Sequence, residues 1–234
     1  MKYLQQMINA RQADSKFPEL KETFNEEVKY LSGIIKKKLK DKKSGINVLD
    51  ACCGEGYTLR DLGEKHKEAN FFGMDNDSDL VSRAQIITSP LKNITIVLQD
   101  ILSMPSFLAH NFFDLSYSTF NTLGSFRQEE RFSVLSEMYR AIKEKGYLAT
   151  ITWKNKDKNV TDFLKQYYTY IGFKIKEIDD NKTIVENEDD GKLNQEIFER
   201  LSLDELSSYY LQLGIKDIKI DPIGKLWIAF SGKK

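Results

Sequence analysis

The sequence predicts an α/β domain built on a doubly wound, mostly parallel sheet, and three observations predict it. Short β-branched apolar runs alternate with stretches whose apolar residues recur at three and four; the first run ends in a turn of small residues; and acids stand at the ends of the next two. At 234 residues the chain suits one large domain carrying an insertion better than two full-sized domains.

From Leu20 to Leu39 the apolar residues Leu20, Phe24, Val28, Leu31, Ile34, Ile35 and Leu39 trace one buried helical face, so the segment reads as a helix of core residues. Ser44-Gly45 breaks it. Strands follow at Ile46 to Ala51, Asn70 to Met74, Ile94 to Leu98, Phe113 to Ser118 and Tyr147 to Trp153, separated by helical patterns at Leu59 to Lys67, Ser78 to Ile87 and Gln128 to Lys143. This alternation implies right-handed crossovers and a sheet covered on both faces. Leu203 to Leu213 reads as a last helix. Ile215 to Ile220 and Leu226 to Ser231, joined by a short loop with Pro222 and Gly224, read as an antiparallel terminal pair that completes seven strands. The stretch from Val160 to Glu188 departs from the rhythm: a Tyr-rich segment, Phe163 to Tyr170, precedes a hairpin of Phe173 to Ile178 and Thr183 to Asn187 around an Asp-Asp-Asn-Lys turn.

Charge and composition narrow the function. Lys plus Arg equal Asp plus Glu at 35 each, which gives no electrostatic reason to bind nucleic acid or an anionic membrane and favours a small-molecule ligand. The basic run from Lys36 to Lys43 reads as a solvated helix end. No apolar run approaches the roughly 20 residues of a membrane span, and Met1 to Arg11 lacks the apolar centre of a signal peptide. The two cysteines, Cys52 and Cys53, are adjacent and suit a reducing compartment, so the expected location is cytoplasmic. No His/Cys cluster has metal-binding spacing, and no metal is expected.

The residues that carry chemistry sit at strand ends, where ligands of such sheets bind. Val48-Leu49-Asp50-Ala51-Cys52-Cys53-Gly54-Glu55-Gly56 runs from an apolar strand into a tight turn in which small residues let a ligand approach the backbone; the plainer reading is a glycine turn that serves packing. Phe71-Phe72-Gly73-Met74-Asp75 ends in a carboxylate about 20 residues later, where an acid accepts from ribose hydroxyls. Asp77 or Ser78 would instead cap the next helix. Gln99-Asp100-Ile101 places a further acid and a backbone amide within reach of an adenine, or simply forms a turn. A nicotinamide enzyme would share the first two elements. However, the third fingerprint glycine is replaced by bulky Leu59, and Asp50 before the turn would repel a pyrophosphate while suiting an ammonium group.

Over about Ile46 to Trp153 the sequence resembles the class I S-adenosylmethionine-dependent methyltransferases, whose turn is usually Asp-x-Gly-x-Gly-x-Gly; Asp50 to Gly56 matches except that Cys52 stands at the first Gly. The resemblance implies a seven-stranded Rossmann-like sheet with S-adenosyl-L-methionine as cofactor and S-adenosyl-L-homocysteine as product. It implies that Asp50, Ala51 and Cys52 hold the methionine moiety, Gly54 and Gly56 line the cofactor, Asp75 with Asn76 beside it takes the ribose, and Asp100 and Ile101 take adenine. Phe113 to Gly124 is similar to the fourth strand and loop of small-molecule N-methyltransferases of the glycine/sarcosine or nucleotide-linked amino-sugar type. Ser118 and Thr119 would then approach the cofactor, with Asn121 and Trp153 shaping the acceptor pocket.

The expected organisation is an N-terminal lid and helix over 1–44, including Tyr3 and Arg11, a cofactor-binding domain over 45–159 and 200–234, and a substrate cover over 160–199. The expected reaction is direct methyl transfer to an amine nitrogen of a small molecule. His66 and His110, the only histidines, fall away from the expected transfer edge, and Tyr167, Tyr168 and Tyr170 read chiefly as packing. Two other classes stay open: a binding subunit that holds the cofactor without turning over, and a nicotinamide oxidoreductase.

Overall fold

A computed structural model describes residues 13–42, 45–105, 108, 110–189 and 192–234. The expected lid residues Tyr3 and Arg11, and Ser44 at the expected helix break, lie outside the described residues.

Helix α1 (Pro18–Asp41) starts on a proline whose missing N–H costs nothing in a first turn, and it buries Leu20, Phe24, Val28, Leu31 and Ile35 along one stripe. Strands and helices then alternate as predicted: β1 (Asn47–Ala51), α2 (Tyr57–Lys65), β2 (Asn70–Asp75), α3 (Ser78–Thr88), β3 (Ile94–Leu98), β4 (Phe113–Ser118), α4 (Gln128–Ala141) and β5 (Ile142–Trp153). Next come α5 (Lys158–Tyr170), β6 (Lys174–Ile178), β7 (Lys182–Asp189), β8 (Lys192–Glu199), α6 (Leu203–Gln212), β9 (Lys216–Ile223) and β10 (Trp227–Lys233).

Seven strands form one sheet in the order β3-β2-β1-β4-β5-β10-β9. The five strands linked by crossovers pair in parallel, and β10 runs antiparallel to both β5 and β9, because a short turn can only reverse the chain. One core cluster packs α1, α2 and α5 against one face, with Leu31, Val48, Leu115 and Trp227 at its centre. The other packs α4 and α6 against the opposite face around Leu49, Leu135, Leu148 and Phe230. Burial on both faces is what the near-continuous apolar strands require.

Two elements differ from expectation. Helix α4 stops at Ala141 and β5 starts at Ile142, whereas the pattern suggested helix to Lys143 and strand only from Tyr147. The pairing with β4 jumps from Phe113↔Ile142 to Leu115↔Tyr147, so Lys143 to Gly146 form a bulge, with Lys145 at φ 62 and Lys143 Nζ held 3.0 Å from Asp114 Oδ2. A bulge of charged residues carries no period-2 signal. The predicted hairpin is present as β6 and β7, but β8 extends it to a three-stranded antiparallel sheet. Gln195 and Glu199 share one face of β8 with Ile197, and Glu196 shares the other with Phe198. With polar residues on both faces, hydrophobic alternation cannot announce the strand.

This small sheet is tied to the main one at the end of β8. Asn121 Nδ2 donates to the Glu199 carbonyl at 3.0 Å, and the buried Arg131 guanidinium meets Glu199 at 2.6 Å and Glu205 at 3.0 Å. The approach is close enough that a Cβ on Gly124 would stand 1.9 Å from the Glu199 oxygen. Gly124→Ala should therefore loosen the small sheet, costing about 2 kcal/mol or more. Hydrogen exchange should show faster exchange in Lys192–Glu199 with β1 and β4 unchanged; unaltered protection of β8 contradicts the assignment.

Candidate functional site

The parallel registers align the carboxyl ends of β1, β2 and β4, and a cleft of about 420 Å³ opens beyond them. Its floor is the turn after β1. Cys52 (φ 67), Gly54 (φ 53) and Gly56 (φ 75) all take left-handed backbone, which bends the chain sharply into α2. Glycine adopts that conformation freely, and this explains the usual residue at the Cys52 position; a cysteine there carries a cost on the order of 1 kcal/mol. A Cβ on Gly54 would meet nothing within 4 Å, so the backbone lies open to a ligand.

Asp75, at the end of β2, locks this turn. Its Oδ2 accepts from the Gly54 amide at 2.8 Å and its Oδ1 from the Asp77 amide at 3.1 Å. Burial pushes its carboxyl above the ordinary range, outweighing those two amide donors. Asp77 caps α3, accepting from Asp79 and Leu80, so the capping role falls to Asp77 and leaves Asp75 facing the cleft. Asn76 lines the cleft beside it.

Asp50 is buried one layer below. Burial, then the charges of Glu27 and Asp75, drive its carboxyl well above the usual range, opposed by Tyr117, its partner in register on β4. Ala51 and Ser118 are likewise buried behind the cleft wall, and the Ser118 hydroxyl has no hydrogen-bond partner among the described residues. Thr119 lines the wall. Asp100 ends β3 by capping the short turn Ile101–Ser103 through the Leu102 amide at 2.9 Å, and the Ile101 side chain packs in the core; neither is in the cleft lining.

The far end of the cleft is aromatic. Trp153 (2 % exposed) meets Phe120, Phe163, Tyr167 and Trp227 at ring separations of 5.4–6.2 Å. Tyr167 and Tyr168 of α5 and Phe198 of β8 complete the wall, while Tyr170 is 47 % exposed on the outer side. Asn121 reaches the same wall at φ 60, but its amide is engaged at both ends, accepting from Thr152 and donating to Glu199. His66 is bonded to Ser32 at 2.6 Å and His110 lies beside Arg140, both outside the cleft lining. Among the described residues no group of three His, Cys, Asp or Glu side chains could hold a metal ion, and no helix is long and apolar enough to cross a membrane.

Sequence reasoning missed several wall residues. Phe24 and Glu27 of α1 line the cleft, and Glu27, accepting from Thr58 at 2.9 Å, is buried. A signal for it existed: position 27 falls inside the apolar stripe of α1, where an acid is out of place. Phe198 had no such signal, because its strand had none.

The left-handed Cys52 and the two half-buried thiols of the cleft floor yield a prediction. Cys52→Gly should gain up to about 1 kcal/mol in urea unfolding by relieving that conformation. Because burial pushes both thiols well up, Cys52 and Cys53 should resist iodoacetamide at pH 7.5 until the chain is denatured. Rapid alkylation of the native protein contradicts this.

Comparison with known proteins agrees with the geometry. A family described as a methyltransferase domain matches residues 42–200. Demethylmenaquinone methyltransferase of Listeria monocytogenes serotype 4a is 31% identical over 117 residues, covering 49% of this chain and 47% of that protein; the chain thus spans about half the length of the curated relatives it matches. Among solved structures, a protein from Pyrococcus horikoshii OT3 superposes with TM-score 0.66 at 17% identity, covering 90% of this chain and 91% of the other. A 1,6-didemethyltoxoflavin-N1-methyltransferase from Burkholderia thailandensis, with bound 1,6-didemethyltoxoflavin and S-adenosylhomocysteine, does so with TM-score 0.60 at 12% identity, covering 97% and 86%. The chain belongs to the methyltransferase-domain family.

Proposed function

We propose that this protein transfers a methyl group from S-adenosyl-L-methionine to an amine nitrogen of a small, flat, largely apolar acceptor. The observation that carries the reading is the two-ended cleft: a backbone turn gripped by Asp75 at one end and an aromatic chamber at the other, with Thr119 and Asn121 between them. Its volume of about 420 Å³ lies within the range of small-molecule sites.

When bound, the cofactor supplies an activated methyl and a neutral leaving group. The chain's own task is to bind, align and exclude water. Asp75 would accept from the ribose hydroxyls with the lone pairs its two amide donors leave unused, and Asp50 would sit beneath the ammonium of the methionine end. Gly54 and Gly56 would let that tail lie on the backbone, and Asp100 with the Ile101 amide would border the adenine. Trp153 and Phe120 would stack against the acceptor, while Asn121, clamped at both ends, would hold the loop in place. Residues 160–199 would cover the acceptor end, the N-terminal 1–44 would close the other side, and 45–159 with 200–234 would hold the cofactor. Among the described residues no histidine lines the cleft, which favours a nitrogen lone pair that needs no strong base at the moment of transfer. The adjacent free thiols favour a cytoplasmic setting.

A second reading, transfer to carbon of a quinol-type ring, is favoured by the demethylmenaquinone methyltransferase relative and by the same aromatic walls. Incubating protein and cofactor with a panel of aromatic amines and a panel of hydroquinones, with S-adenosylhomocysteine read by mass spectrometry, separates the two. Turnover with amines alone supports the proposal, turnover with hydroquinones alone replaces it with the second reading, and cofactor binding without turnover on either panel points to a binding subunit.

The grip on the cofactor is tested separately. Asp75→Ala should weaken S-adenosylhomocysteine binding by about 10- to 100-fold, the worth of hydrogen bonds to a charged group. Burial holds the Asp75 carboxyl above its ordinary value, and hydroxyl donors favour the ionised form, so binding should lower that pKa and release protons. Affinity should then rise with pH through the pKa of free Asp75 and level off above it. Titration calorimetry in two buffers of different ionisation enthalpy reads the protons released, and proton uptake contradicts the assignment.

A further inference from the structure

The aromatic end of the cleft continues outward along β8. Side chains two apart on a strand share a face, so Glu196 stands on the face that carries Phe198, about 6.7 Å further out. Phe198 is stacked on Tyr168 at 5.4 Å with an interplanar angle of 13°, and both rings line the cleft. The cross-strand partner of Glu196 is Val185, which is fully buried, and Ile175 follows it on β6. The face of the small sheet that packs on the core thus carries one carboxylate two residues beyond Phe198.

Glu196 has no compensating partner among the described residues. Burial alone acts on its carboxyl, pushing it up to about 6, and neither an ion pair nor a side-chain hydrogen bond is formed with a described group. At neutral pH it is still chiefly ionised. A half-buried carboxylate costs stability where no partner offsets it, and Glu196 lies two residues along the strand from Phe198 of the cleft wall. By contrast, Glu199 on the opposite face of the same strand is paired with Arg131. An anion at the rim of an aromatic box is complementary to a cation carried by a flat body.

The geometry points to Glu196 as the residue that reads a positively charged group on the outward end of the methyl acceptor, while the acceptor's flat portion lies in the cleft that Tyr168, Phe198 and Trp153 line. This rests on the methyltransferase reading above and narrows the acceptor to molecules with a cationic tail distinct from the atom that receives the methyl. Neutral or acidic analogues of the same ring would lose the rim contact.

The test uses the full chain saturated with S-adenosylhomocysteine and two probes of one shape, 2-phenylethylamine and 2-phenylethanol, titrated calorimetrically at pH 7.5. The amine should bind about tenfold more tightly than the alcohol, as a charge-assisted contact implies. Glu196→Gln should erase that preference and leave the alcohol's affinity within about twofold, the alcohol serving as the control for an intact chamber. Glu196→Asp, which keeps the charge and shortens its reach, should retain part of the preference. Equal affinities in the wild type, no measurable amine binding, or a preference that survives Glu196→Gln each overturn the inference. S-adenosylhomocysteine binding is read first in the same experiment: its loss removes the methyltransferase reading, whereas tight binding without amine preference removes only the role of Glu196.

Discussion

One carboxylate sets the geometry from which the rest of the site follows. Asp75 accepts two backbone amides, one from Gly54 in the turn after β1 and one from Asp77 at the start of α3. It therefore fastens two neighbouring strand ends and two helix starts at a single point. Without that clasp the turn would have to hold three left-handed residues in five by packing alone, including a cysteine for which that conformation is costly. The register of β1 with β2, Ala51 opposite Met74, brings the clasp within reach. Fold and site meet in the same two bonds.

A second fastening works at the acceptor end. Phe120 and Asn121 are consecutive non-glycine residues at φ 54 and φ 60, a strain on the order of 1–3 kcal/mol each. What holds them is visible: the Phe120 ring stacks on Phe24 at 5.7 Å and meets Trp227 at 5.5 Å, while the Asn121 amide bridges Thr152 of β5 and the Glu199 carbonyl of β8. The bend brings the β4 loop under the small sheet, and the sheet is held by Arg131 from beyond it. The small sheet is thus a docked element, bonded to the loop that reaches the cleft.

Most of this scaffold was legible in the sequence, for identifiable reasons. The five parallel strands are buried on both faces and read as apolar runs, and the terminal pair is joined by a turn too short for a crossover, so strand direction followed. The turn of Asp50 to Gly56 and the acid at Asp75 were legible because sharp backbone bending restricts residue type and because an acid ending an apolar strand stands out. Strand β8 was not, since a strand with polar residues on both faces lacks the pattern that periodicity detects, and Phe198 went unseen with it. Glu27 was absorbed into a helix taken as core, although its charge within the stripe marked it. Asn121 was legible as a residue of the site but not as a clamp, because its partners, Thr152 and Glu199, are 31 and 78 residues away.

The buried acids bring these threads together. Asp50 lies near Glu27 and Asp75 beneath the cleft floor, and burial, followed by their negative charges, holds its carboxyl well above its usual range. A charge on Asp50 loses hydration there and meets like charges besides. Under the proposed function, the ammonium and sulfonium of the cofactor would bring positive charge to these acids. The same acidity argues against a dinucleotide, whose pyrophosphate would meet Asp50 from above. On that reading the acids of the floor and the aromatic walls above it would favour a positively charged reactive centre that faces the rings.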